Sequence, residues 1–168
     1  MTVDIEHPLF SFAIVADTHI TDEEGLAIDG SHKTGEKVAG MYRDLIQRVN
    51  DMHPEFVVHL GDITHPTPTE PDYGDAALAF HKASEIFSMP YYLVPGNHDI
   101  GEKIHPALPC IDEEVSITKR TIGSYEQHFG QQRYSFQHGG CLFIVINTML
   151  MNSGLEEEGD QWAWLEQT

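Results

Sequence analysis

Three short apolar runs alternate with two longer segments of helical pattern in the N-terminal part of the chain, and this alternation constrains the fold more than any other feature. The runs predict buried strands over Phe10–Ala16, Phe56–Leu60 and Tyr91–Pro95, and the segments between them predict helices over Glu36–Met52 and Tyr73–Phe87. Strands that alternate with helices form a parallel sheet, because each helix returns the chain over one face in a right-handed crossover. The sequence therefore predicts the α/β class.

The first of these helices carries one apolar stripe. Its members recur at steps of three and four residues, and they are Val38, Met41, Leu45, Ile46 and Val49. This spacing places them on one face of a helix, which we expect to pack in the core.

The pattern changes in the second half of the chain. A helix over Ile122–Phe129 precedes two strand-like runs, Tyr134–Phe136 and Cys141–Ile146, which predict an antiparallel hairpin. A further amphipathic helix begins at Asp160 and has barely completed two turns at Thr168. We therefore expect residues 1–168 to be the N-terminal portion of a single domain, truncated at its C-terminus.

Polar motifs follow each predicted strand directly. They are Asp17-Thr18-His19, Gly61-Asp62 and Gly96-Asn97-His98-Asp99. Open α/β sheets place their sites at the carboxyl ends of strands, so we expect the three motifs to converge at one edge of the sheet. A single D-x-H or G-D arises often by chance, whereas all three motifs in this order at strand ends are a strong signal.

Carboxylate, imidazole and amide groups at one edge predict a centre of two metal ions suited to phosphoester hydrolysis. Two ions about 3.5–4 Å apart activate a shared water and clamp the phosphoryl group. Asp62 is the predicted bridge, because its two oxygens can contact both ions. Asp17 and His19 alternate along an extended segment and can face one ion, whereas Asn97 can offer its amide oxygen to the other. His98 is then free to act as a general acid.

Three further residues near these motifs have two readings each. His65 follows Asp62 on a loop that we expect to overhang the ions, where it either contacts substrate or is an ordinary surface residue. Asp99 either orients His98 through a carboxylate–imidazole bond or caps the turn that follows. His59 lies within an apolar strand and favours the reading of a hydrogen-bonded core histidine over a functional one.

The three motifs resemble those of the calcineurin-like metallophosphoesterases, and the resemblance covers nearly the whole chain. The stretch Gly96–Gly101 is similar to the branch that contains class III cyclic-nucleotide phosphodiesterases and calcineurin-like phosphoesterase-domain phosphatases. The resemblance implies an α/β/β/α sandwich built on two mixed sheets. It also implies hydrolysis of a phosphomonoester or phosphodiester by a hydroxide that bridges the two ions.

The same resemblance implies a division of the site residues between the two ions. The first ion would be held by Asp17, His19 and Asp62, and the second by Asp62 and Asn97, with His98 near the leaving group. Mixed nitrogen and oxygen ligands suit Mn, Fe or Zn, in divalent or trivalent form, better than Mg.

This chain departs from the family pattern in two respects. The family carries a later lone histidine and a G-H-x-H motif, and no histidine after Asp99 is followed by another two residues on. The Asp and Arg that some branches carry shortly after the G-D motif are replaced here by Ile63-Thr64-His65. We expect the chain to stop before the histidines that complete the site, and hence to carry only part of it. The alternative to an enzyme is a non-catalytic binding or scaffold protein with the same fold, which the intact first three motifs disfavour.

Charge and cysteine content limit the partners. The formal net charge is −18, from 9 basic and 27 acidic residues. Such a surface repels nucleic acid and anionic membranes, which disfavours a nuclease and favours a small phosphoester or a phosphoprotein as substrate. Two widely spaced cysteines and the lack of a signal-like or membrane-spanning segment predict a cytoplasmic protein. The unfinished last helix favours exposed apolar surface and hence a homo-oligomer.

Overall fold

The computed structural model describes residues 8–21, 35–103 and 115–168. It confirms the predicted order of strands and helices. In chain order the elements are β1 (Phe12–Val15), α1 (Gly35–Met52), β2 (Phe56–His59), α2 (Tyr73–Ser84), β3 (Tyr91–Leu93), α3 (Asn97–Ile100), α4 (Lys119–Phe129), β4 (Tyr134–His138), β5 (Cys141–Val145), a 3-10 turn (Thr148–Leu150) and α5 (Glu156–Gln167). No helix in these described ranges combines the length and the apolar character needed to cross a lipid bilayer.

The three N-terminal strands form a parallel sheet in the order β1-β2-β3. One face of the sheet packs against α1, where Val49 joins Val15 and Val57 in a buried cluster. Phe80 of α2 lies against the same face, edge-on to the His59 ring at 5.7 Å between ring centres. The two crossover helices therefore cover one side of the sheet, as the alternating pattern predicts.

The core stripe of α1 differs from the predicted one at a single position. Ile46 and Val49 are buried, but Met41 is 62% exposed. Tyr42 takes the core position instead, stacked on Phe80 with its hydroxyl 2.8 Å from Ser84 Oγ. The reason is the helical period: a 3.6-residue repeat from Val38 reaches residue 42 more nearly than residue 41, and the side chain at residue 42 is a large aromatic.

The predicted hairpin packs on the opposite face of the parallel sheet. Strands β4 and β5 pair antiparallel, with Phe136 opposite Phe143. Phe136 stacks on Tyr92 at 3.7 Å, and the Phe143 ring meets Phe56 edge-on at 5.3 Å. The described residues thus form a helix layer, a parallel sheet and an antiparallel sheet, three layers of the predicted sandwich, with neither sheet mixed.

Backbone pairing continues past the ends of β1 and β2, and it brings the first two motifs together. The Asp17 N–H donates to the Gly61 carbonyl at 3.0 Å, and the His19 N–H donates to the Asp62 carbonyl at 3.0 Å. Farther along, the His65 N–H donates to Ile20 O at 2.9 Å. The two loops therefore run side by side at the carboxyl edge of the sheet, which is the edge that the sequence predicts for the site.

Candidate metal centre

The predicted ligands of the first ion converge, although not in the predicted conformation. We expected an extended segment, but Asp17 has φ 56° and His19 has φ 44°, both in the left-handed region. Asp62 has φ 52°. The extended prediction is wrong because the paired loops turn sharply at these residues, and the turns, not strand alternation, direct the side chains to one place.

Asp17, His19 and Asp62 form a compact set of donors. One ligand atom from each lies within 4.8 Å of the others. His19 Nε2 is 3.9 Å from Asp62 Oδ2, and His19 Nδ1 is buried without a hydrogen-bond partner among the described residues. Two carboxylates and an imidazole at this separation fit a transition-metal ion, which would relieve the repulsion between the carboxylates.

Burial keeps His19 in its neutral, ligating form. Burial lowers the pKa of His19, and the nearby His98 ring lowers it further, while Asp62 and Asp17 act in the opposite direction. A neutral imidazole carries the lone pair that metal binding requires.

Two glycines allow the second and third motifs to touch. A Cβ atom on Gly61 would overlap the backbone of Gly96, and a Cβ atom on Gly96 would overlap the backbone nitrogen and Oδ1 of Asp62. Gly61 also has φ 99°, which glycine adopts readily. Any larger residue at either position would push Asp62 away from the third motif.

The third motif lies beside Asp62 through a backbone contact. The His98 N–H donates to Asp62 Oδ1 at 3.1 Å. Asn97 immediately precedes it, and its Nδ2 donates to Glu102 Oε1 at 2.6 Å. Because the amide nitrogen is engaged by Glu102, the amide oxygen of Asn97 is the atom left to bind an ion.

Asp99 acts on the backbone of the site. Its side chain is fully buried, and Oδ1 accepts from the N–H groups of Ile63 at 2.8 Å and Thr64 at 3.3 Å. Oδ2 accepts from the Gly96 N–H at 2.8 Å, so Asp99 caps the start of α3 at the preceding Gly96 and not the turn that follows. Burial raises the pKa of Asp99 to about 7, although the N–H donors oppose that rise. Its carboxylate thus fastens the second motif to the third.

His65 and His98 lie beside His19 at the rim of the site. The ring centres of His19 and His98 are 4.9 Å apart, and those of His65 and His98 are 6.1 Å apart. His98 Nδ1 donates to the carbonyl of His65 at 3.3 Å. The predicted proton donor and the predicted substrate contact are therefore neighbours.

His59 is the core histidine that the sequence predicts, and it supports the first motif from below. It is 2% exposed; Nδ1 accepts from the Gly61 N–H at 3.2 Å and Nε2 donates to Thr18 Oγ1 at 2.9 Å. The Thr18 hydroxyl in turn donates to Ile63 O at 2.9 Å. Burial lowers the pKa of His59 to about 4, so the ring is neutral.

Sequence reasoning assigned no role to Thr18 or Glu102, although both act on the predicted ligands. Thr18 is the variable residue of the D-x-H motif, and its hydroxyl bridges the first two motifs. Glu102 follows the third motif and holds the Asn97 amide. Neither carries a signal in the sequence, because a threonine or a glutamate in a loop is ordinary unless its partner is known.

The comparisons with known proteins agree with this geometry. The family profile of the calcineurin-like phosphoesterases matches residues 10–167. The serine/threonine-protein phosphatase CPPED1 of Bos taurus is 28% identical over 126 residues, covering 70% of this chain and 36% of that protein. The protein of the same name from Danio rerio is 27% identical over 137 residues, covering 74% and 38%. The chain therefore spans well under half the length of these relatives.

Solved structures share the fold. A dimetal phosphatase from Danio rerio superposes with a TM-score of 0.56 at 18% identity, over 96% of this chain and 52% of that one. A purple acid phosphatase from yellow lupin (Lupinus luteus) seeds gives a TM-score of 0.55 at 18% identity, over 96% and 28%. The predicted metallophosphoesterase fold is thus confirmed. With three motifs at one sheet edge and a profile match along nearly its whole length, the chain belongs to the calcineurin-like phosphoesterase family.

Proposed function

We propose that this chain is part of a phosphoester hydrolase that uses two metal ions. Asp17, His19 and Asp62 hold the first ion, and Asp62 with Asn97 serves the second. The observation that carries the proposal is the convergence of the three first-ion residues, each with one ligand atom within 4.8 Å of the others. Their left-handed backbone costs about 1–3 kcal/mol for each non-glycine residue and persists because the surrounding contacts hold it.

The ions would supply a bridging hydroxide as the nucleophile and neutralise charge on the phosphoryl oxygens. The residues of the chain then have separate tasks. Asp62 accepts the His98 N–H with Oδ1, which leaves Oδ2 and the second lone pair of Oδ1 as the donors that would hold the ions. Glu102 engages the amide nitrogen of Asn97, so the amide oxygen would be the atom that binds the second ion.

His98 is the proposed proton donor to the leaving group. Because its Nδ1–H donates to the His65 carbonyl, Nε2 is the nitrogen from which the protonated ring would deliver a proton, and it carries the lone pair once the ring is neutral. A fixed ring orientation of this kind is what a general acid requires. Asp99 contributes by positioning, since it fastens the backbone of the third motif to that of the second.

The substrate is proposed to be a phosphomonoester, small or carried on a protein. The relatives named above are serine/threonine-protein phosphatases, which favours a monoester over a diester, and a phosphodiester is the second choice. His65 would contact the phosphoryl oxygens from the rim. Mn, Fe or Zn suits the donor set better than Mg, because an imidazole is among the ligands. A cytoplasmic location accompanies this proposal, on the low cysteine content.

The test compares Asp62→Asn with Asp75→Asn in the complete protein of which this chain is proposed to be a part. Asp75 lies exposed on α2 and provides the matched control. Asp75→Asn should retain manganese-dependent hydrolysis of an aryl phosphate and Mn²⁺ binding measured by calorimetry. Asp62→Asn should lose at least about a hundredfold in activity, which is the size of effect seen when one electrostatic contact in an active site is removed. Normal turnover in Asp62→Asn would contradict the proposed bridge. Binding of two ions without hydrolysis of any phosphoester would favour the scaffold alternative.

A further inference from the structure

Three imidazoles surround one point at the rim of the metal centre. One ring nitrogen from each of His19, His65 and His98 lies within 4.8 Å of the others. The ring centres are separated by 4.9 Å between His19 and His98, 6.1 Å between His65 and His98, and 6.2 Å between His19 and His65. No carboxylate is needed to complete this set, which distinguishes it from the Asp17–His19–Asp62 set.

We infer that His19, His65 and His98 form an alternative cation position, sharing His19 with the first-ion site, that selects Zn²⁺ over Mn²⁺, and that an ion bound there inhibits the enzyme. The binding part of this inference stands on the three rings alone. The inhibitory part rests on the proposed function, because the ion would occupy His98, the proposed proton donor.

The ring positions come close to those of a tetrahedral zinc site. With Zn–N bonds of about 2.0–2.1 Å, three imidazoles on one tetrahedral ion have ring centres about 5 Å apart. The His19–His98 separation of 4.9 Å already meets this value, and the two separations that involve His65 exceed it by about 1 Å. His65 is exposed and His98 half-buried, so a small rotation of His65 can close the set without disturbing the core.

The backbone contact of His98 identifies the nitrogen that it offers to an ion. The contact from His98 Nδ1 to the His65 carbonyl places the proton on Nδ1 and the lone pair on Nε2. A backbone carbonyl in this role is a common second partner of zinc-ligating histidines, since it fixes the tautomer and the ring orientation. His19 contributes one ring nitrogen, which lies within 4.8 Å of a nitrogen from each of the other two rings.

The donor type determines the selectivity. Imidazole nitrogens suit Zn²⁺, Cu²⁺ and Ni²⁺, whereas carboxylates, carbonyls and water suit Mg²⁺ and Mn²⁺. Because His19 belongs to both sets, an ion on the three rings also competes with the first ion of the proposed pair. Zinc at this position would therefore remove a metal ligand, the proton donor and the proposed substrate contact together.

The test measures Zn²⁺ binding without any assay of activity. Calorimetry measures Zn²⁺ affinity in the 168-residue chain, in His65→Asn and in His53→Asn. The visible absorption of bound Co²⁺ reports tetrahedral nitrogen coordination in the same three proteins. His53 is exposed on the loop after α1 and has φ 50°, which asparagine tolerates, so it is the matched control. We expect His65→Asn to weaken Zn²⁺ binding at least tenfold, to abolish the cobalt absorption and to leave Mn²⁺ affinity unchanged. His53→Asn should leave all three measurements unchanged.

An unchanged zinc affinity in His65→Asn, or an equal loss in both variants, would overturn the inference. Asp17→Asn separates the two sites, because it should weaken Mn²⁺ while leaving the cobalt signal in place; loss of that signal would also overturn the inference. Zinc inhibition of manganese-dependent hydrolysis should have the same midpoint as zinc binding and shift with it in His65→Asn. Failure of the proposed function appears instead as absent manganese-dependent hydrolysis, with the zinc measurements unaffected.

Discussion

The turn of the β4–β5 hairpin and the edge of the parallel sheet both use left-handed backbone, but with different residues. At the hairpin the positions are Gly139, with φ 55°, and Gly140, with φ 78°. At the sheet edge they are Asp17, His19 and Asp62, with φ between 44° and 56°. Glycine adopts this region with no Cβ penalty, whereas an L-residue with a side chain is disfavoured by about 1–2 kcal/mol. At the hairpin the absence of side chains allows the turn and the close approach of the Phe10 ring to Gly139, whereas the sheet edge keeps its side chains in the same backbone region.

Contacts with neighbouring segments hold the strained loops at the sheet edge in their left-handed conformation. Backbone pairing fixes Asp17 and His19 against the second motif. Buried Asp99 accepts three N–H groups from the second and third motifs, and buried His59 links Thr18 to Gly61. The surrounding structure therefore over-determines the conformation, which is the condition under which strain persists.

The largest effect is expected where the loops touch. Gly96→Ala would place a methyl group on the Asp62 backbone and carboxylate, so the loops must separate. We expect a loss of about 3 kcal/mol in the free energy of unfolding, as for severe overpacking, and loss of Mn²⁺ binding. Gly123→Ala on α4 is the control, because no atom lies within 4 Å of the added Cβ. Urea unfolding measures the free energy of unfolding, and calorimetry measures Mn²⁺ binding. A wild-type Mn²⁺ affinity in Gly96→Ala would show that the close approach of the two loops is dispensable.

The next effect concerns the buried histidine beneath the strained loops. The folded-state pKa of His59, about 4, is below the ordinary value, so its stabilising contribution is present above pH 6.5 and is lost as the pH falls toward 4. Between pH 7 and pH 5 this amounts to about 2 kcal/mol. The raised pKa of Asp99, about 7, has the opposite sign over the same window, because the folded state there binds the extra proton. The wild-type curve alone therefore mixes the two groups.

His59→Gln isolates the histidine, since a glutamine amide can still donate to Thr18 and accept from Gly61 without titrating. We expect the wild-type chain to lose about 2 kcal/mol more than His59→Gln between pH 7 and pH 5, measured by urea unfolding. His138→Gln serves as the hairpin control. His138 pairs with Glu55, which is half exposed, so the pair contributes little to the free energy of unfolding. Parallel curves for wild type and His59→Gln would contradict a neutral buried imidazole.

The sequence predicted the elements and the place of the site, but not how the side chains converge. Apolar periodicity reports burial, so it located β1, β2 and β3 and most of the α1 stripe. Motif order reports which residues share an edge, so it brought Asp17, His19 and Asp62 together. Loop dihedrals depend on pairing with a distant segment, which explains why the extended prediction for Asp17 to His19 was wrong. The contacts of Thr18 and Glu102 depend in the same way on partners that no local pattern specifies.

The smallest expected effect tests the opening comparison directly, by exchanging the residue types of its two regions. Asp17→Gly should raise the free energy of unfolding of the metal-free chain by about 1 kcal/mol, because it relieves the left-handed strain and the repulsion with Asp62. Asp17→Asn removes the charge but keeps the side chain, and the difference between the two variants gives the strain alone.

Gly140→Ala in the hairpin should lower the free energy of unfolding by about 1 kcal/mol, since its φ of 78° becomes strained although no atom lies within 4 Å of the new Cβ. Mn²⁺ affinity should fall at least about tenfold in Asp17→Gly and stay constant in Gly140→Ala, as expected when only the first removes a ligand. A destabilised Asp17→Gly chain would show that the aspartate at the sheet edge stabilises the fold, and the contrast between the two regions would then have no functional meaning.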